Sequence, residues 1–253
     1  MEGTEEQEQS SVLTELNENK NDSFYTDAAH YWSKVPPTID GMLGGFGYIS
    51  HTDIQGSDSF LNNIFKLKNP PQRNRALDCG AGIGRVTKLL LQRHFSKVDL
   101  VEQNSEFLKE ARIYLGPSKK VGELYCSGLQ AFVPEEGQYD VIWCQWVLGH
   151  LTDDDLVMFM KSCMCNYFSC IKGLRDNGVI VVKENVTSSG EVEKDLQDSS
   201  VTRSEEALVA LLEGPAGLRR VREMKQPRFP KGLYPVRMFA LRPHKIINPE
   251  EHQ

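Results

Sequence analysis

The sequence has no run approaching the roughly 18 consecutive apolar residues that a membrane span needs, so no membrane partner is expected. Its first residues, MEGTEEQEQS, lack the basic n-region and apolar core of a secretory signal, which predicts an intracellular protein. It has no surplus of positive charge: 29 Lys and Arg stand against 35 Asp and Glu, a net charge of −6. Residues 1–22 hold seven acids and one base, so the remaining 231 residues are formally neutral. A neutral body lacks the broad basic field of nucleic-acid-binding domains, whose pI is typically above about 9, and no direct nucleic-acid contact is expected. The six cysteines include no paired C-x₂-C knuckle and no matching histidine cluster, the spacing that structural zinc sites usually show. Cys163, Cys165 and Cys170 fall in an amphipathic run; with Cys79, Cys126 and Cys144 they read as reduced, partly buried thiols, and no metal is expected. No internal repeat is found.

What is present is the composition of a soluble globular protein: 253 residues, 40% apolar and 25% charged, enough for one large domain or two small ones. Residues 1–22 combine high charge with few aromatic or branched side chains and read as a disordered acidic tail. Residues 23–242 read as a single domain, a helical cap over 23–70 and a core over 74–242, and the polar stretch 243–253 as a loose tail. In the cap, Ser23–Lys34 and Ser57–Leu67 have helical character and flank a glycine-rich loop, Asp40–Tyr48. In the core, strand-like runs at Arg75–Cys79, Lys97–Val101, Leu124–Cys126, Tyr139–Cys144 and Val179–Lys183 alternate with helical periodicity at Arg85–His94, Ser105–Leu115 and Thr152–Leu174. Ser105 is placed to cap the second of these helices, and Asp153, Asp154 and Asp155 suit the positive end of the third. Such alternation predicts a parallel sheet with helices on both faces. Leu218–Met224 and Val236–Leu241 are joined by a connector, Gln226–Pro235, too short for a crossover helix, so they should pair antiparallel.

The most specific segment is LDCGAGIGR over residues 77–85, a strand running into a glycine-rich turn that opens a helix. Glycines there permit positive φ and close approach of a ligand, and the helix N-terminus offers free N–H groups to a polar or anionic group. The spacing is G-x-G-x-G rather than the G-x-G-x-x-G of dinucleotide binders, which argues against a nicotinamide oxidoreductase. Glu102 follows Gly82 by 20 residues, at the end of the second strand, where a carboxylate can hold both hydroxyls of a ribose. Together these features look like a class I S-adenosylmethionine (AdoMet)-dependent methyltransferase. That fold is Rossmann-like, α/β, with a seven-stranded, mostly parallel sheet and an antiparallel last strand, here carrying an N-terminal helical extension. WCQWVLGH (143–150) and Lys183-Glu184-Asn185 fall on the carboxyl edge of the sheet, where open α/β folds bind ligands. Asp195 and Asp198 lie in a polar loop and matter only if they face the same cleft.

Read with YWSKVPPTIDGMLGGFGYIS (31–50), GLQAFVPE (128–135), YDVIWCQWVLGHLTD (139–153), DSSV (198–201) and YPVRMFALR (234–242), these segments resemble the eukaryotic protein N-terminal Xaa-Pro-Lys methyltransferases over about residues 24–242. The first of them lies outside the generic methyltransferase core, which makes the resemblance specific. It implies AdoMet as cofactor, S-adenosylhomocysteine as product, and no metal. AdoMet contacts would carry over to Trp32, Gly80, Arg85, Glu102, Leu129, Gln130 and Gln145, with Trp32 offering a π-face to the sulfonium and Arg85 binding the methionine carboxylate. The implied partner is a protein N-terminus reading Xaa-Pro-Lys or Xaa-Pro-Arg after methionine removal, methylated one to three times on its α-amine, in cytoplasm and nucleus.

By the same resemblance Trp146 would stack on the substrate proline beside Leu43 and Ile49, and Asp195 and Asp198 would pair with the third-position cation. Ser200 joins the substrate contacts, Tyr234 helps position the amine, and His150 and Asn185 are the catalytic pair, with His150 accepting the amine's proton. Gly44 and Gly45 would leave room for repeated transfer. The chain departs from the family's pattern at Glu102 and Glu184, where aspartate is usual, at Cys144 and Lys194, and in a loop 186–197 one residue longer. Two readings stand beside this one: a methyltransferase acting on a small molecule or a lysine side chain, and a non-catalytic peptide-binding module of the same fold.

Overall fold

Each core strand divides its side chains between two apolar layers, because successive residues point to opposite faces. The computed structural model describes residues 23–164 and 173–244. Its strands are β1 (Arg75–Cys79), β2 (Lys97–Glu102), β3 (Val121–Cys126), β4 (Tyr139–Gln145), β5 (Leu174–Asn185), β6 (Glu193–Asp195), β7 (Ser200–Thr202), β8 (Leu218–Lys225) and β9 (Val236–Pro243). The helices are α1 over 23–34, α2 (Ile39–Met42), α3 (Ser50–Ile64), α4 over 85–94, α5 (Ser105–Leu115), α6 (Asp153–Cys163) and α7 (Glu205–Glu213). Within α4 the stretch Thr87–Leu91 is π-helical. In β4, Val141 and Trp143 pack with Phe60, Leu61 and Ile64 of α3 and with Leu90 and Leu91 of α4. Ile142 and Cys144 pack on the other face with Leu156, Phe159 and Met160 of α6 and Leu208 and Leu212 of α7.

The main sheet runs β3-β2-β1-β4-β5-β9-β8, while β6 and β7 form a separate hairpin. Strands β1 to β5 are mutually parallel, and β9 lies antiparallel to both β5 and β8. The chain therefore winds outward from β1 to β3 and returns to start again at β4. Between β1 and β4 lies the switch point at which folds of this kind bind ligands.

Several elements differ from the sequence expectation, each for a local reason. Asn104, not Ser105, caps α5: its Oδ1 accepts the Glu106 and Phe107 N–H groups at 2.9 and 3.4 Å. Helix α3 begins at Ser50 rather than Ser57, through a polar first turn with no apolar periodicity to signal it. The helix expected to reach Leu174 ends at Cys163; Met164 turns extended, and Leu174 already opens β5, paired with Tyr139 of β4. The expected loop 40–48 contains the end of α2 and runs into a 3₁₀ turn, Gly47–Ile49. Cys165, Cys170, the acidic tail 1–22 and most of the tail 243–253, each given an expectation above, lie outside the described residues; of the last, Pro243 ends β9.

Candidate functional site

The chain leaves β1 through Gly80, Gly82 and Gly84, at φ of +65°, +54° and +78°. A Cβ on Gly80 would overlap Val147 and one on Gly82 would overlap Met42, so conformation and space both select glycine there. Asp78 ties the strand end to α4 by accepting the Thr87 N–H at 3.0 Å and hydroxyl at 2.6 Å. Burial pushes its carboxyl up to about 6 against that pull. At the end of β2, Glu102 accepts the Gly82 N–H through Oε2 and the Asn104 N–H through Oε1, each at 2.9 Å. Burial raises this carboxyl too, while those amides oppose the rise. One carboxylate thus braces the glycine turn and lines the cleft beside it.

Two compartments adjoin here, sharing Trp32, Met42, Trp146 and His150 as their common wall. The first lies over the glycine turn and is lined by all seven residues expected to touch a cofactor: Trp32, Gly80, Arg85, Glu102, Leu129, Gln130 and Gln145. Arg85 is almost wholly buried and bonds Asp53 Oδ2 through Nη1 at 2.7 Å. Among the described residues its Nε and Nη2 bond nothing, which leaves a donor fork for an anion. The positive-φ turn, the ribose-type carboxylate and this fork suit a nucleoside bearing a carboxylate tail, as AdoMet does. Among the described residues no three His, Cys, Asp or Glu side chains gather as metal ligands.

The second compartment is an open groove lined by Leu43, Ile49, Trp146, Asn185, Asp198, Ser200 and Tyr234, with His150 bordering both. Trp146 sits at φ +53°, a left-handed conformation unusual for a bulky side chain. Its Nε1 donates to Asn185 Oδ1 at 3.1 Å, which joins the ends of β4 and β5 across the groove floor. Trp32 Nε1 donates to His150 Nε2 at 3.1 Å, and the two rings meet edge to face. Since Nε2 accepts, a neutral His150 ring carries its proton on Nδ1; that atom is buried without a hydrogen bond of normal geometry, beside the Ser199 backbone. Burial pushes the His150 pKa below its ordinary value, with Asp198 opposing, so the ring is neutral at pH 7. The helix carrying Trp32 is anchored where Tyr25 donates to Asp155 at the start of α6.

Asp195 is not among the groove-lining residues. It is exposed toward the tip of the β6–β7 hairpin, where its Oδ1 accepts the Gln197 N–H at 2.8 Å. Glu193, two residues earlier on β6, lines the groove instead and accepts the Tyr234 hydroxyl at 2.5 Å. No motif marks Glu193; only the hairpin register and its contact with Tyr234 reveal it. Gly44 and Gly45 are exposed and line neither compartment; at φ +58° and +85° they turn the chain between Leu43 and Phe46. Lys183, placed by sequence on the ligand edge, lies wholly buried beneath it. Asp53, with no motif of its own, touches both Arg85 and Gln145.

A family model described as AdoMet dependent proline di-methyltransferase matches residues 20–242. The chain is 50% identical over 222 residues to N-terminal Xaa-Pro-Lys N-methyltransferase 1 of Danio rerio, covering 87% of this chain and 96% of that one. It is 50% identical over 224 residues to alpha N-terminal protein methyltransferase 1 of Drosophila melanogaster, covering 87% of this chain and 76% of that one. Among solved structures, a SAM-dependent methyltransferase of Leishmania major superposes with a TM-score of 0.79 at 36% identity, covering 87% of this chain and 83% of that chain.

Proposed function

The chain belongs to the N-terminal Xaa-Pro-Lys methyltransferase family, and on that premise we propose that it transfers methyl groups from AdoMet to the α-amine of protein N-termini beginning Xaa-Pro-Lys or Xaa-Pro-Arg. The observation that carries this reading is the shared wall: His150, Trp146 and Trp32 border the nucleoside-type cleft and the acidic-rimmed groove at once. An acceptor held in the groove is thereby presented to the cleft and to little else.

When bound, AdoMet supplies an electrophilic methyl group on a sulfonium. The chain's own residues do the rest. Arg85, Glu102 and Gln130 bind and orient the cofactor's polar groups, and Trp32 and Leu129 exclude water from the cleft. Leu43, Ile49 and the Trp146 ring form the apolar wall for the second-position proline, whose rigid ring loses little entropy on binding. Asp198, held by the Ser200 hydroxyl at 2.6 Å, receives the third-position cation at the groove's edge.

A free α-amine has a pKa of about 7.7–8.0, so much of it is protonated at neutral pH and cannot attack. Neutral His150 accepts that proton at Nε2, in exchange for the Trp32 hydrogen bond. Asn185, whose Oδ1 accepts from Trp146 Nε1, lines the groove and has a second lone pair on that oxygen with which to orient the amine, and Tyr234 closes the outer side. Holding the reacting atoms in line supplies much of the remaining acceleration. The amine stays nucleophilic until it is quaternary: a primary amine takes up to three methyl groups, and an N-terminal proline takes two.

The test is direct. The purified chain is incubated with AdoMet and three peptides, one beginning Ser-Pro-Lys, one the same but α-acetylated, and one with the proline replaced by alanine, each followed by mass. The expected result is mass gain in steps of one methyl on the free Ser-Pro-Lys peptide alone. Gain on the acetylated peptide would move the acceptor to a side chain. No gain on any peptide, with AdoMet bound, would leave a non-catalytic binder.

A further inference from the structure

Beneath the cleft floor lies a cluster of buried polar groups, none of which lines the groove. Asp53, on α3, has no exposed surface. Its Oδ2 accepts Arg85 Nη1 at 2.7 Å, while its Oδ1 accepts Gln145 Nε2 at 2.9 Å and the Lys183 ammonium. Lys183, from β5 and equally buried, also reaches the Asp53 carbonyl at 3.1 Å, Ser57 Oγ at 2.8 Å and Gln226 Oε1 at 2.7 Å.

Four oxygens around one nitrogen suit an ammonium. Burial pushes Lys183 down to about 8, with Asp53 opposing, so it is charged at pH 7. Burial would raise the Asp53 carboxyl, but Lys183 and Arg85 hold it below the ordinary range.

The division of the carboxylate matters. An arginine beside a free carboxylate closes on it with two parallel bonds. Here Oδ1 is already taken by Lys183 and Gln145, so Arg85 makes one bond to the carboxylate, through Nη1, which also reaches Ser50 Oγ at 3.5 Å. Its Nε and Nη2 remain for the cleft.

We propose that Lys183 is a positioning residue for the cofactor: by occupying Asp53 it prevents a closed Asp53–Arg85 pair and keeps the guanidinium fork presented to the cofactor's carboxylate. The inference rests on AdoMet being the ligand of the first compartment. It predicts an effect confined to ligands that carry that carboxylate.

The experiment measures binding by calorimetry on the full chain, with AdoMet and with decarboxylated AdoMet, which keeps the sulfonium, the nucleoside and the amine. For Lys183→Met, affinity for AdoMet falls by about tenfold or more, the scale of a charge-assisted hydrogen-bond pair, while affinity for the decarboxylated ligand changes less than about threefold. In Asp53→Asn/Lys183→Met, which has no carboxylate for Arg85 to close on, the preference for AdoMet returns to within about threefold of wild type. Should Lys183→Met not fold, Asp53→Asn alone is read the same way and keeps the preference. Equal loss of both ligands in Lys183→Met, no loss at all, or a lost preference in either variant carrying Asp53→Asn overturns the proposal. Failure of the unaltered chain to bind AdoMet would instead overturn the cofactor reading itself.

Discussion

On the cofactor side, Glu102 is held by two backbone amides, and Arg85 and Gln145 share one buried carboxylate. On the peptide side, Asp198 is held by the Ser200 hydroxyl and Glu193 by those of Tyr234 and Ser189, at an open mouth. The first region is fixed by main chain and by groups sealed from water; the second is set by side chains on a short hairpin. A cofactor that never varies suits a rigid, desolvated cleft, whose hydrogen bonds weigh more where water is excluded. A substrate that differs from protein to protein suits a wet rim, where each charge contributes modestly and can be exchanged.

The largest test of that contrast is at the shared wall. His150→Gln should lower kcat by about 10²–10⁴-fold, the range for a lost general base, with the Kd for AdoMet within about twofold of wild type. A parallel loss of AdoMet affinity would assign the histidine to the cofactor side.

Next is the rim itself. Asp198→Ala should raise KM for a Xaa-Pro-Lys peptide by about tenfold, and much less for a peptide with alanine third, as expected for one lost charge-assisted contact. An equal rise for both peptides would place Asp198 in the groove's framework rather than its recognition.

The pair on β6 sharpens the comparison further. Glu193→Gln should raise the same KM by about two- to fivefold, the scale of an exposed ion pair, whereas Asp195→Asn should leave it unchanged. The reverse ranking would mean that the hairpin rearranges when peptide binds.

The smallest effect concerns stability. Glu184 Oε1 accepts the Val147 and Leu148 N–H groups at 2.9 Å, and burial raises its carboxyl from 4.5 to about 7. A folded pKa above the unfolded one means that the ionised form is penalised. The penalty is complete above pH 7, shrinks as pH falls, and is gone below 4.5. Glu184→Gln keeps the oxygen that accepts both amides. It should therefore melt a few degrees above wild type at pH 8, with the gap closing toward pH 5. A gap that is equal at both pH values would show that the carboxyl is not penalised.

How much of this was legible beforehand follows the same division. LDCGAGIGR and Glu102 could be read because a turn that needs positive φ leaves only glycine, and a strand-end acid lies at a fixed distance from it. The parallel sheet followed from the alternation of strand and helix, and the antiparallel β8–β9 pair from a connector too short for a crossover helix, whereas the strand order appears only in the folded molecule. The residues of the groove came from resemblance, and there Asp195, which falls in the loop one residue longer than the family's, is the one that the hairpin places outside the groove. Glu193 could not be found because β6 and β7 are three residues each, too short for a period to show. Lys183 was legible as a residue at the end of a strand, but not as a buried one, since nothing in KEN says which way a lysine points.

The class of fold, the glycine turn, and the strand ends at which the ligand edge forms are readable from the order of residues alone, because they depend on local backbone chemistry and on period. That Asp53, from the helical cap, meets Arg85, Gln145 and Lys183 under one floor, and that Trp32 reaches over to His150, emerges only when the chain is packed in three dimensions. Those contacts join residues between 32 and 130 positions apart, and their partners are selected by where helices pack on the sheet, which no local pattern records.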